Sequence, residues 1–255
     1  MVRYEVAEGR ATITIDDPER RNPMSTQTME ALVESTLAAL RDPTVRVLVY
    51  TGAGDRAFSA GGDLAGGFAD DPIGLHRSRG ALADLFRLMR RGGKPTVARV
   101  NGHALAGGFG LAVSCDIVIC VEDAKLGMPE IDVGLWPMMI TAVVARTMPP
   151  RVALDLMMTG RLIDAREALA LGAVSRVVPR NRLDVTVDEV VEGLKSKSPA
   201  TLELGRDAFY ATLDMGFDAA LDYLQSGLTA VTLTHDAREG VQAFLEKRRP
   251  SWSGR

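Results

Sequence analysis

Apolar and polar residues first alternate at Ala11-Thr12-Ile13-Thr14-Ile15, the period-two pattern of a strand with one buried face. The polar, proline-bearing stretch from Asp17 to Pro23 reads as a loop, and Ser25 stands where it can cap a following helix. Met29, Leu32, Val33, Thr36, Leu37 and Leu40 recur at helical spacing and mark that helix's buried stripe. At Val45 to Tyr50 the pattern changes to a continuous β-branched and apolar run, which predicts a strand covered on both faces. Further strands are expected at 96–100, 117–121 and 174–178, with a short extended piece over 126–130. Helices are expected from about Leu75 to Arg90 and over 138–147, 152–159 and 164–171. Residues 65–75, rich in glycine and aspartate, read as flexible. From about Arg180 only helical periodicity remains, near 184–197, 199–213, 216–231 and 236–248. Strands interleaved with helices, then helices alone, predict an α/β core over 1–180 and a helical region over 181–255.

The composition narrows the function classes more than the fold. The chain has 255 residues, 46% hydrophobic and 25% charged, with a net charge of −3. That balance suits a globular protein and offers no general attraction to nucleic acid or to an anionic membrane. No stretch approaches the roughly 20 apolar residues of a membrane span, and the first residues do not read as a signal peptide. Cys115 and Cys120 lie in one apolar stretch without neighbouring histidines, so they read as packing residues in a reducing compartment. The expectation is a cytoplasmic protein with no metal.

Two glycine-rich loops carry the candidate chemistry. Phe58-Ser59-Ala60-Gly61-Gly62-Asp63-Leu64 follows one strand signal, and Ala104-Leu105-Ala106-Gly107-Gly108-Phe109 follows another and opens an apolar helix. The second is not a phosphate-binding P-loop, because no Gly-Lys-Ser/Thr follows, and it lacks the spacing of a dinucleotide fingerprint. Glycines clear side chains from the backbone, and the first N–H groups of a helix have no partner within it. Two such loops can bring two N–H donors to one carbonyl oxygen and stabilise the charge that develops there. Ser59 lies in no nucleophile elbow.

These loops, with Val100-Asn101-Gly102-His103, Cys115-Asp116-Ile117, Met128-Pro129-Glu130-Ile131 and the tail from Asp236 to Arg248, resemble the crotonase (enoyl-CoA hydratase/isomerase) superfamily over nearly the whole chain. The resemblance implies a spiral ββα core with C-terminal helices that build a homotrimer or a dimer of trimers. It implies an acyl-CoA thioester substrate and no separate cofactor, CoA being part of the substrate. By position, the N–H groups of Gly62 and Gly107 would form the oxyanion hole and Glu130 would shuttle a proton. The loop Ala60 to Ala65, with Asp63 and Leu64, would lie along the pantetheine and adenine, and an arginine of Arg20-Arg21, Arg21 by choice, would approach the CoA phosphates. Phe109 and Trp136 would wall the acyl pocket. Phe244 and Lys247 match positions that reach a neighbouring subunit's adenine site.

In one place the chain departs from that pattern. The hydratases it resembles carry two glutamates; here one position holds Gly110 and the other holds Glu130. Double-bond isomerisation needs one base, whereas hydration needs a group for water and a group for carbon. Asp132 and His76 are the alternative acids, and His103 reads as structural. Decarboxylation of a CoA ester and a non-catalytic acyl-CoA binder stay open as alternatives.

Overall fold

Repeated units of two strands and a helix organise the chain. The computed structural model describes residues 1–63 and 72–255. β1 (Val2–Ala7) and β2 (Arg10–Ile15) form an antiparallel hairpin, and β2 continues into β3 (Pro23–Met24) and α1 (Thr26–Arg41). The second unit is β4 (Val47–Gly52), β5 (Ala57–Ser59), β6 (Gly61–Gly62) and α2 (Pro72–Arg91). The third is β7 (Thr96–Val100), β8 (His103–Leu105) and α3 (Gly107–Val113), and the fourth is β9 (Ile117–Val121), β10 (Lys125–Gly127) and α4 (Met138–Thr147). α5 (Pro150–Thr159), β11 (Ile163–Asp164), α6 (Ala165–Ala170) and β12 (Arg176–Val178) follow. The rest is helical: α7 (Leu183–Lys195), α8 (Pro199–Thr212), α9 (Phe217–Leu233) and α10 (His235–Leu245).

β1 and β2, the first strand of each later unit, and β12 join one sheet, in the order β1-β2-β4-β7-β9-β12, parallel except for the β1–β2 hairpin. From the second unit on, the second strand joins another sheet, ordered β11-β10-β8-β5, in which β5, β8 and β10 run parallel. All six residues of β4 are buried, as its unbroken apolar run predicts. Tyr50 carries its hydroxyl into that core, where Thr36 meets it at 2.8 Å. Ser25 caps α1, its Oγ accepting from the Thr28 N–H. Both cysteines are buried free thiols; burial raises both, Cys120 to about 12.

Three expectations change. β1 forms although its side chains are mostly exposed; the backbone ladder to β2 holds it, a contact its own pattern does not report. The extended piece at 126–130 stops at Gly127, and Pro129–Val133 turns as a 3-10 helix. Pro129 presets that turn, and Gly134, at φ 74°, ends it. The stretch 65–75 falls partly outside the described residues, and from Pro72 onward the chain is already helical.

Candidate active site

Because β5, β8 and β10 are parallel neighbours, their carboxyl ends lie side by side. Those ends release the loop Ala60–Gly62, the loop Ala106–Gly108 and the segment Met128–Glu130. Carboxyl ends of parallel strands are the usual place for a site in an α/β sheet. The two glycine loops touch. Gly61 has φ +90°, and a Cβ there would lie 2.5 Å from the Ala106 Cβ and 3.3 Å from the Gly107 nitrogen. Only glycine suits both the conformation and the gap.

The turn into α3 is strained. Ala106 holds φ 51° and ψ −127°, a conformation that favours glycine. Its N–H donates to the Gly127 carbonyl at 2.9 Å and its carbonyl accepts from the Gly110 N–H at 3.1 Å, so both sides of the residue are pinned. An alanine has no side-chain cap to offer, unlike Ser25, Asp164, Ser198 and Thr234 at other helices. Gly107 therefore begins α3 with an N–H that has no acceptor within the helix. Gly62 is exposed, and a Cβ there would meet none of the described residues within 4 Å.

Two buried asparagines, not singled out from the sequence, brace these loops. Asn22 Nδ2 donates to the Ala53 and Ala57 carbonyls, at 2.9 and 2.8 Å, and its Oδ1 accepts from the Asp17 N–H at 2.9 Å. Asn101 Nδ2 donates to the Gly54 and Ala57 carbonyls, and its Oδ1 accepts from the Gly52 N–H. Asn22-Pro23 and Asn101-Gly102 are turn signals, which was the cue available. Ser59 is buried and accepts from the Gly61 N–H at 3.1 Å, a structural role.

Glu130 is half-buried in the 3-10 turn, and its Oε2 is buried with no hydrogen-bond partner among the described residues. Burial pushes its carboxyl above the ordinary range. Asp132 does not accompany it. The 3-10 turn sends residues two apart in different directions, and the Asp132 carboxylate lies beside Gly160 at the end of α5. His76 is exposed on α2, and His103 accepts the Lys125 N–H on Nδ1.

The other expected residues divide. Trp136 is half-buried against the core, six positions beyond Glu130. Phe109, expected on the acyl wall, is 0% exposed and packs inside the core, because it points away from the face that carries Gly107. Ala60 donates its N–H to the Arg21 carbonyl at 2.9 Å, which ties those two loops together. Asp63 lies 3.2 Å from Arg20, which also pairs with Asp17, and Leu64 lies outside the described residues. Phe244 is 82% exposed at the end of α10, a helix packed on α8 and α9, and Lys247 follows it with φ 56°.

Arg21 lines a groove with Arg56, His103 and Arg180 at the opposite ends of β5 and β8. Arg180 is already committed there, donating to the Asp55 and Asn101 carbonyls and to both Asp123 oxygens. Arg56 was missed because a single arginine in a turn has no distinguishing pattern. Asp55 and Asp123 line the same groove. β5 and β8, three residues of strand or about 10 Å, run from it towards the glycine loops, and Arg21 reaches both, its carbonyl meeting Ala60.

The chain matches the enoyl-CoA hydratase/isomerase family over residues 5–255. A Thermus thermophilus protein named for enoyl-CoA hydratase is 37% identical over 243 residues, covering 94% of this chain and 96% of that protein. The carnitinyl-CoA dehydratase of Salmonella heidelberg is 36% identical over 251 residues, covering 95% and 94%. The crystal structure of an enoyl-CoA hydratase from Mycobacterium smegmatis superposes with a TM-score of 0.94 at 30% identity, covering 98% of each chain.

Proposed function

Since the chain belongs to the enoyl-CoA hydratase/isomerase family, a family of acyl-CoA enzymes, we propose that it moves the double bond of an enoyl-CoA thioester, with Glu130 as the single proton shuttle. The observation that carries this reading is the half-buried Glu130 carboxyl, one oxygen of which has no partner among the described residues, at the same strand ends as two open backbone loops. The thioester oxygen accepts from the Gly62 and Gly107 N–H groups. The Glu130 carboxylate takes a proton from C2, and the electron pair is held as a dienolate whose oxygen those two donors stabilise. Glu130 then returns the proton to C4. The double bond has moved from C3–C4 to C2–C3, and nothing else is gained or lost.

The CoA phosphates lie in the groove of Arg21 and Arg56, and the pantetheine spans the distance to the loops. CoA enters as part of the substrate, so no further cofactor takes part. The core over 1–180 holds the site, and the region 181–255 joins copies of the chain into a trimer or a dimer of trimers. Support for the last point is α9, none of whose residues is buried although Phe217, Leu221, Leu224 and Leu228 form one apolar stripe along it.

Hydration or dehydration is the second reading, favoured by the names of the Thermus and Salmonella relatives. Incubating the purified protein in heavy water with 3-enoyl-CoA and with 2-enoyl-CoA separates the two. Deuterium uptake with double-bond migration and no added water is expected. A gain of one water that depends on Glu130 would replace isomerisation with hydration.

A further inference from the structure

On α3 the next residue after Gly107 on the same helix face is Gly110, one turn on. A Cβ at position 110 would stand 2.8 Å from Ile140 Cγ1, 3.2 Å from Ile140 Cγ2 and 3.2 Å from Phe86 Cζ. Ile140 lies in the first turn of α4 and is only 4% exposed, while Phe86 reaches the same core from α2. A branched side chain held by a packed core cannot swing aside as an unbranched one would. The space beside Gly110 is thus not an empty place where a side chain was removed. It has been filled from the neighbouring helices by hydrocarbon.

That packing bears on the reaction. Adding water to a 2-enoyl thioester requires one group to take the proton from water as its oxygen bonds to C3, and a second to deliver a proton to C2. Moving a double bond requires one. We propose that Ile140 is a specificity-determining residue: it occupies the volume that a carboxylate at position 110 needs. The pair Gly110–Ile140, and not Gly110 alone, therefore holds the site to carbon-to-carbon proton transfer and against addition of water. The inference rests on the assignment of Glu130 and Gly107 to the active site.

Four full-length proteins test it: Gly110→Glu, Ile140→Gly, Gly110→Glu with Ile140→Gly, and the unmodified chain. Each is assayed for hydration of 2-enoyl-CoA by product mass, for isomerisation of 3-enoyl-CoA, and for Tm. Gly110→Glu alone is expected to lower Tm by about 5 °C or more through overpacking, without raising hydration. The double variant is expected to recover most of that loss relative to Ile140→Gly, and to hydrate about 100-fold faster than Ile140→Gly, the usual contribution of one acid or base. Gly110→Ala, which adds only the Cβ, gives the same coupling on Tm if the glutamate variants do not fold. Rapid hydration by Gly110→Glu alone overturns the proposal. So does additivity of the two Tm effects, or a folded double variant that hydrates no faster than Ile140→Gly. If the unmodified chain turns over neither enoyl-CoA, the assigned function fails, while the Tm coupling still decides whether residues 110 and 140 compete for one volume.

Discussion

Glu130 combines a half-buried carboxyl, an oxygen without a partner among the described residues and a raised proton affinity caused by desolvation. Its folded-state proton affinity exceeds that of the unfolded chain. Between the ordinary carboxyl range and the raised folded value, the folded protein therefore binds more protons, and stability falls as pH rises through that window. Glu130→Gln removes the cost of a buried charge. The variant should melt with the unmodified chain in acid, where both side chains are neutral, and above it at neutral pH. Melting curves from pH 4 to 8 check this, and a constant difference across that range would contradict it. The same substitution should slow isomerisation by about 100-fold to 10,000-fold, the range of one general acid–base group. In the unmodified enzyme the rate should rise with pH as the carboxylate forms.

The link between the sheets and the C-terminal helices is a largely buried polar knot around the half-buried Asp116. Its carboxylate accepts from the Thr96 N–H and hydroxyl at 2.7 and 2.9 Å, from Arg206 Nε at 2.8 Å and from the Tyr210 hydroxyl at 2.6 Å. Arg206 also donates to the Arg90 and Met89 carbonyls at the end of α2. α8 is therefore fastened at once to β7, to the start of β9 and to the last turn of α2. Burial raises the Tyr210 hydroxyl further, and Arg90 and Arg206 both stack on its ring. Removing one partner of such a pair leaves the other charge uncompensated, which costs about 3 kcal/mol or more. Arg206→Met should lower Tm by roughly 6–12 °C for a chain of this size. A loss under about 2 °C in a thermal scan would mean that the helices are held by apolar packing instead.

Taken whole, the chain has a buried core and an apolar stripe on its outer face. On α9, Phe217 is 78% exposed and Leu228 66% exposed, and Phe209 on α8 and Leu213 just after it add to the apolar surface. A patch of that kind on a globular chain marks a surface that something covers. If copies of the chain cover it, sedimentation should give a trimer or hexamer for the unmodified protein. Leu228→Glu, which places a charge in the stripe, should shift it to monomers with little change in secondary structure. A monomeric unmodified protein would remove the oligomeric part of the proposed function.

Local pattern and tertiary contact divide this protein clearly. The alternation at 11–15, the apolar run at 45–50 and the helical periods after 180 were legible because each element's burial is written in its own residues. The glycine loops stood out as runs of adjacent small residues after strand signals, and Glu130 stood out only through the family resemblance. Leu64, expected along the ligand, lies outside the described residues. The 3-10 turn that separates Glu130 from Asp132, the bracing by Asn22 and Asn101, and the burial of Phe109 had no comparable local signature. Nor did three juxtapositions on which the proposed chemistry rests. That β5, β8 and β10 end side by side, that Arg56 joins Arg21 in one groove, and that Ile140 fills the space beside Gly110 all depend on residues far apart in the chain. Periodicity reports which face of an element is buried. It carries no information about which other element buries it, and that pairing is made only when the spiral closes and the layers pack.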